Sequence, residues 1–190
     1  MTTAFIGLDY IVDITHPSGK MAAAAEQVNE RGVIDKANQL LELAREKGWL
    51  SVLVKVGFEQ GYVDQPKHSQ LFGKAHEIGV LEMGSAGMEF HPDLAADKAD
   101  MVIIKPRVSA FYGTRLDAAL RACGITRVVV AGVSTMMAVQ SAAREAHDRD
   151  FEVIIAEQAC AAATPEDHEA SIRTLQPVTT VMTLDELKAL

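Results

Sequence analysis

Asp9, Lys105 and the Gly132–Thr135 segment are the parts of the chain whose composition suits catalysis. Asp9 directly follows the apolar run Phe5-Ile6-Gly7-Leu8. A carboxylate at the end of a buried run is costly to hold there without a purpose or a partner. Lys105 follows Met101-Val102-Ile103-Ile104 in the same way. An ammonium close to Asp9 would favour the ionised carboxylate, whereas burial would oppose it. Gly132-Val133-Ser134-Thr135 follows another apolar run and opens a helical pattern. Backbone N–H groups at such a turn have no partner inside the helix, and they can bind a carboxylate, a phosphate or a developing oxyanion. Each feature also has a plainer reading. Asp9 suits a loop or helix cap, Lys105 a solvated strand exit, and Ser134 or Thr135 a helix cap, which outweighs a hydroxyl-nucleophile reading.

Other chemistries lack their residues. There is no GxxxxGK[ST] phosphate loop and no GxGxxG after a strand pattern. His68, His76, His91 and His147 lack metal-ligand spacing. Asp64, His68 and His76 are only loose candidate ligands, so no metal and no cofactor is expected. Cys123 and Cys160 form no CxxC pair and read as small buried apolar groups.

The elements that must carry these residues can be read from periodicity. Strand patterns fall at Thr3–Leu8, Ser51–Val56, Met101–Ile104, Arg127–Ala131, Glu152–Ala156 and Val178–Met182. Helical patterns fall at 34–47, closed by Gly48, and at 114–123, with Thr114 as cap and Gly124 as stop. Thr135–Arg149 reads as a helix with a small-residue face at Ala138, Ala142 and Ala146. Thr164-Pro165 caps a helix to about Leu175, and a last short helix covers 184–190. Strands apolar throughout, separated by helices, predict an α/β domain: a three-layer α/β/α fold with a six-stranded parallel doubly wound sheet. Ligands in such sheets bind beyond the carboxyl ends of the strands, near the switch in strand order. The glycine-rich stretch 57–99 breaks the rhythm and reads as an excursion over those ends.

The chain has 190 residues, enough for one domain spanning 1–190. Lys plus Arg number 18 and Asp plus Glu 26, so the formal charge of −8 repels polyanions and excludes nucleic acid as a first-choice partner. No apolar run reaches the ~20 residues of a spanning helix, so no membrane partner is expected. Residues 1–5 show no basic leader pattern, which makes the cytoplasm the expected location.

Three segments, in order, resemble the isochorismatase-like hydrolases. Phe5 to Asp13 resembles the opening strand and its Asp-Met-Gln-x-Asp segment. Lys105 to Leu116 resembles Lys-x-x-x-Ser-Ala-Phe-x-x-Thr-x-Leu, and Ala131 to Val139 resembles Gly-Val-x-Thr-x-x-Cys-Val. The resemblance covers about 3–187 and implies the same six-stranded α/β/α fold. It implies that Asp9 and Lys105 are the catalytic aspartate and lysine. It places a cis peptide at Val133-Ser134 and an oxyanion hole at the Ser134 and Ala138 amides. Phe111 and Arg107, in the matched Lys105 segment, are expected to line the site and hold substrate. Small-molecule substrates and a homodimer or homotetramer are implied as well, with the 57–99 loop and the small-faced helix as contacts.

The departure lies at Ala138, which occupies the position of the family's nucleophilic cysteine. A methyl group cannot attack a carbonyl, so the cysteine amidase route is closed for this chain. Members that lack the cysteine include the isochorismatases proper, whose aspartate protonates a vinyl ether so that water can add. The chain most resembles uncharacterised cysteine-less members that share its Ser-Ala-Phe-Tyr-Gly-Thr stretch at 109–114 and its Gly-x-Ser-Thr stretch at 132–135. The expected function is therefore hydrolysis of a small anionic or carbonyl-bearing metabolite without a thiol, with vinyl-ether hydrolysis favoured. Two alternatives stand beside it: a non-catalytic ligand- or partner-binding member, and a Cys-to-Ala trapped form of a cysteine amidase.

Overall fold

The computed structural model describes residues 2–190. Strand β1 (Thr3–Leu8) is buried at every position, as expected for the centre of a parallel sheet. It is followed by two short helices, α1 (Val12–Thr15) and α2 (Ala25–Glu30). Helix α3 (Val33–Lys47) turns Val33, Ala37, Leu40, Leu41 and Ala44 inward and ends at Gly48. Gly48 has φ 64°, and its N–H returns to the Ala44 carbonyl. Strand β2 (Leu50–Val56) leads into the 57–99 excursion, which holds the short helix α4 (Ala75–Ile78).

Strand β3 (Met101–Lys105) runs through Lys105 instead of stopping before it. Helix α5 (Leu116–Ala122) starts two residues after Thr114. The Thr114 hydroxyl accepts from the Leu116 N–H at 3.2 Å, while Arg115 takes the cap position. Strand β4 (Arg127–Val133) enters a π-helical turn (Thr135–Val139) and then helix α6 (Gln140–His147). Strand β5 (Glu152–Ala161) is longer than expected because a register shift opposite Val130–Gly132 lets pairing resume at Cys160 and Ala161. Helix α7 (Pro165–Leu175) is capped by Thr164, whose hydroxyl accepts from the Asp167 N–H. Strand β6 (Thr180–Met182) and helix α8 (Leu184–Lys188), with a Thr183–Glu186 capping box, complete the chain.

All strand pairings are parallel, in the order β3-β2-β1-β4-β5-β6. Helices α3 and α8 pack on one face and α6 and α7 on the other. The two edge strands are less buried: Val102 and Ile104 of β3 are half exposed, and no residue of β6 is fully buried. The small face of α6 is used inside the molecule: Ala142, Ala143 and Ala146 are buried, leaving no such surface for a second copy.

The excursion builds a core of its own. Phe58, Tyr62, Phe72, Val80, Leu81 and Met88 pack with Ile11 and Val56. The Phe58 and Phe72 rings meet edge to face at 5.4 Å. Asp13 of α1 holds this layer down by accepting from the Leu81 N–H at 3.1 Å.

Candidate active site

The strand order reverses between β1 and β4, so the chain leaves these adjacent strands in opposite directions and opens a crevice at their carboxyl ends. Asp9 is the first residue beyond β1 and adopts φ 58°, in the left-handed region. Its N–H donates to the Val54 carbonyl at 2.8 Å, and its Oδ1 accepts from the Val56 N–H at 2.7 Å. Lys105 lies opposite Val56 on the far side of β2. Its side chain reaches past that strand to place Nζ 2.7 Å from Asp9 Oδ2. Nζ also donates to the Val108 carbonyl at 2.7 Å. The side chains of Lys105 and Asp9 are only 1% and 4% exposed. Burial pushes the Asp9 carboxyl above the usual carboxylate range. The Lys105 ammonium and the Val56 N–H pull the other way without cancelling it.

Across the crevice, β4 delivers Val133 and Ser134, joined by a cis peptide bond. The Ser134 carbonyl accepts from the N–H groups of Met137 at 3.2 Å and Val139 at 3.3 Å, passing over that of Ala138 between them. This widened first turn faces the Asp9–Lys105 pair. Behind it Thr135 is fully buried, with its hydroxyl 2.8 Å from His168 Nδ1 on α7. Arg31, which can only donate, contacts His168 Nε2 at 3.0 Å. Nε2 is therefore the acceptor and Nδ1–H the donor to Thr135. Glu157 Oε1 lies 3.2 Å from Nε2 and 3.5 Å from the guanidinium; with Arg31 donating to Nε2, the carboxylate pairs with the guanidinium. Burial lowers the His168 pKa and keeps the imidazole neutral.

A cavity of about 250 Å³ opens over these groups. Asp9, Lys105, Ser134, Val133 and Ala138 all line it, so three separate stretches of chain converge there. Two expected lining residues do not. Phe111 is buried beside Phe151, at 6.2 Å between centroids, beneath the Arg149 guanidinium. An apolar ring at the base of α5 gains more from that packing than from a watery crevice. Arg107 donates to the Pro106 carbonyl at 2.6 Å and reaches the Asp64 carbonyl at 3.4 Å, which holds its charge outside the cavity. The excursion supplies Phe72, Leu71 and Leu81 instead, and the residues before α2 supply Met21 and Ala24. Among the described residues no group of three or more His, Cys, Asp or Glu side chains is arranged to hold a metal ion; Asp64, His68 and His76 form no such group.

Sequence reading missed the Thr135–His168–Arg31–Glu157 network. Its one local cue was the Thr164-Pro165 cap, which sets the first turn of α7 but not what that turn faces. It also missed the apolar wall from the excursion, whose residues follow no regular period.

Comparison with known proteins gives a consistent result. The family described as the Isochorismatase domain matches residues 3–186. The uncharacterized isochorismatase family protein YecD of Escherichia coli O157:H7 is 33% identical over 190 residues, covering 98% of this chain and 94% of that protein. The isochorismatase family protein of Desulfovibrio vulgaris superposes with TM-score 0.87 at 26% identity, covering 99% of this chain and 97% of that one. Nicotinamidase PncA of Bacillus subtilis superposes with TM-score 0.80 at 25% identity, covering 96% and 100%.

Proposed function

The chain belongs to the isochorismatase family, and from that premise we propose that it hydrolyses a small molecule without a cysteine nucleophile, using Asp9 as general acid beside Lys105. The family's solved members include amide hydrolases such as the nicotinamidase above. With Ala138 in the turn, this chain needs a reaction that requires no covalent intermediate. Addition of water to a vinyl ether is such a reaction, and it is the reading favoured here.

The steps follow from the groups in place. The protonated Asp9 carboxyl gives its proton to the terminal carbon of the double bond, leaving an oxocarbenium ion. Water adds to the oxygen-bearing carbon of that ion, and the Asp9 carboxylate, beside the Lys105 ammonium, takes the proton that water loses. The hemiketal then opens to a carbonyl compound and an alcohol. The Ser134 and Ala138 amides supply fixed dipoles for the oxygen that gains negative charge as the C–O bond breaks. A general acid works best with a pKa near the working pH, and burial moves Asp9 in that direction.

The observation that carries this reading is the buried 2.7 Å Asp9–Lys105 pair lining a cavity at the switch in strand order. The test is hydrolysis of a vinyl-ether panel containing isochorismate and the uncharged cyclohexyl vinyl ether, followed by release of pyruvate or acetaldehyde. Asp9→Asn is expected to lose about 10²-fold or more of the wild-type rate. A wild type inert on the whole panel, or an Asp9→Asn variant as fast as wild type, would overturn it.

A second reading rests on Ala138. If the methyl replaces a thiol that the site was built for, the Ala138→Cys variant hydrolyses small amides that wild type leaves intact.

A further inference from the structure

The distribution of charge in the cavity says what kind of molecule it accepts, given the proposal that Asp9 and Lys105 act there. Among the described residues the cavity has only two ionisable lining groups, Asp9 and Lys105, and they are 2.7 Å apart. Both lie at the buried end, where Lys105 also gives an N–H to the Val108 carbonyl. Between that end and the mouth the wall is made of Phe72, Leu81, Val108, Met21, Met136 and Met137. Arg107, the cation that sequence reading assigned to substrate, is tied to carbonyl oxygens elsewhere. Arg31 is held by His168, Glu157 and the Cys160 carbonyl, away from the lining.

The mouth is apolar too. Met136 is 44% exposed, Met137 37% and Leu71 44%. Large apolar side chains gathered at a cavity rim lose contact with water when a ligand covers them, which favours an apolar ligand. Methionines adapt their shape to such a ligand at little cost. An ionised group carried along this wall would lose its hydration and meet no partner.

We infer that the substrate has an uncharged, largely apolar body and one polar reacting group, and that molecules with a second ionised group on that body are excluded. The reacting group reaches the Asp9–Lys105 pair and the Ser134 amide, and the body lies against the methionine rim. This narrows the range left by sequence reading, which admitted small anions generally. It disfavours a dicarboxylate such as isochorismate as the physiological substrate while leaving the vinyl-ether chemistry intact.

Binding of two ligands matched in shape tests this inference: acetophenone, and 4-acetylbenzoate, which adds a carboxylate opposite the carbonyl. Titration calorimetry and amide NMR shifts at pH 7 are the readouts. Wild type is expected to bind acetophenone at least about 10-fold more tightly, a difference of about 1.4 kcal/mol. The shifts are expected at Ser134, Val108 and Met137. Met137→Arg, a change at a partly exposed rim position, is expected to reverse the preference. Equal or tighter binding of 4-acetylbenzoate by wild type overturns the inference, as does failure of acetophenone to saturate at millimolar concentration. The outcomes separate from those of the hydrolase reading. Asp9-dependent turnover with a preference for the charged ligand sinks only the inference, and selection of acetophenone without turnover of any vinyl ether sinks only the reaction.

Discussion

Asp9 is held between opposing influences, and Lys105 is the one that can be removed by mutation. Burial raises the carboxyl pKa, and the ammonium 2.7 Å away lowers it. If the protonated acid does the work, kcat/KM falls as pH rises through that raised pKa, because the proton to be donated is lost. In Lys105→Met the lowering influence disappears, so the limb is expected to move to higher pH even as the overall rate drops. A limb that moves to lower pH, or not at all, would mean that Asp9 does not set it. Asp9→Asn removes the limb altogether. The positions of these two residues were legible in the sequence because a charge at the end of an apolar run is rare and costly. Which influence wins was not legible, since the depth of burial depends on Val56, Val108 and the excursion, all distant in the chain. Phe111 and Arg107 failed as site residues for the same reason. Neighbourhood along the chain placed them near Lys105, but Phe151, Arg149 and backbone carbonyls decided where their side chains went.

The π-helical turn at Thr135–Val139 has to be held in place for its amides to point anywhere useful, and α7 does this through one imidazole. His168 donates to the Thr135 hydroxyl at 2.8 Å and accepts from Arg31 at 3.0 Å. His168→Ala leaves the buried Thr135 hydroxyl without that donor, and a loss of about 1–3 kcal/mol is expected in urea unfolding. Activity is expected to fall with the pH limb of Asp9 unmoved, which separates positioning from acid catalysis. The sign with pH also follows. The folded-state pKa of His168 is depressed, so its contribution is complete above the ordinary value of 6.5 and is lost as pH falls toward the folded value. Wild type is expected to lose stability below that pH more steeply than His168→Ala. Equal slopes would mean that His168 does not titrate between the two states. Sequence could not show this contact. Thr164-Pro165 announces where α7 begins, yet Thr135 and His168 are 33 residues apart and no local period joins them.

At the scale of the whole molecule, the six strands were legible because a parallel sheet covered on both faces demands long apolar runs, and Phe5–Leu8, Val52–Val54 and Val128–Ala131 supply them. Strand order is another matter, since it depends on which runs meet and not on what any one run contains. The meeting of β1 and β4 decides the site, and at Gly132 they leave no room for a side chain. This glycine pairs with Leu8 in the ladder and has φ 152°, and a Cβ built there would overlap the Leu8 carbonyl oxygen and Cβ. Those atoms are backbone and near-backbone, so they cannot swing aside. Gly132→Ala must therefore push β4 away from β1. The strain is expected to cost about 1–3 kcal/mol, read as a lower urea midpoint with unchanged m. The displacement also separates Asp9, one residue past Leu8, from Ser134, two residues past Gly132. Misplacement by about 1 Å can cost on the order of 10²-fold in rate. A variant that still folds is thus expected to lose far more activity than stability. If Gly132→Ala kept full activity on the wild type's substrate, the acid and the amide turn would not need the spacing that these two strands impose, and the crevice between them would not be where the reaction occurs.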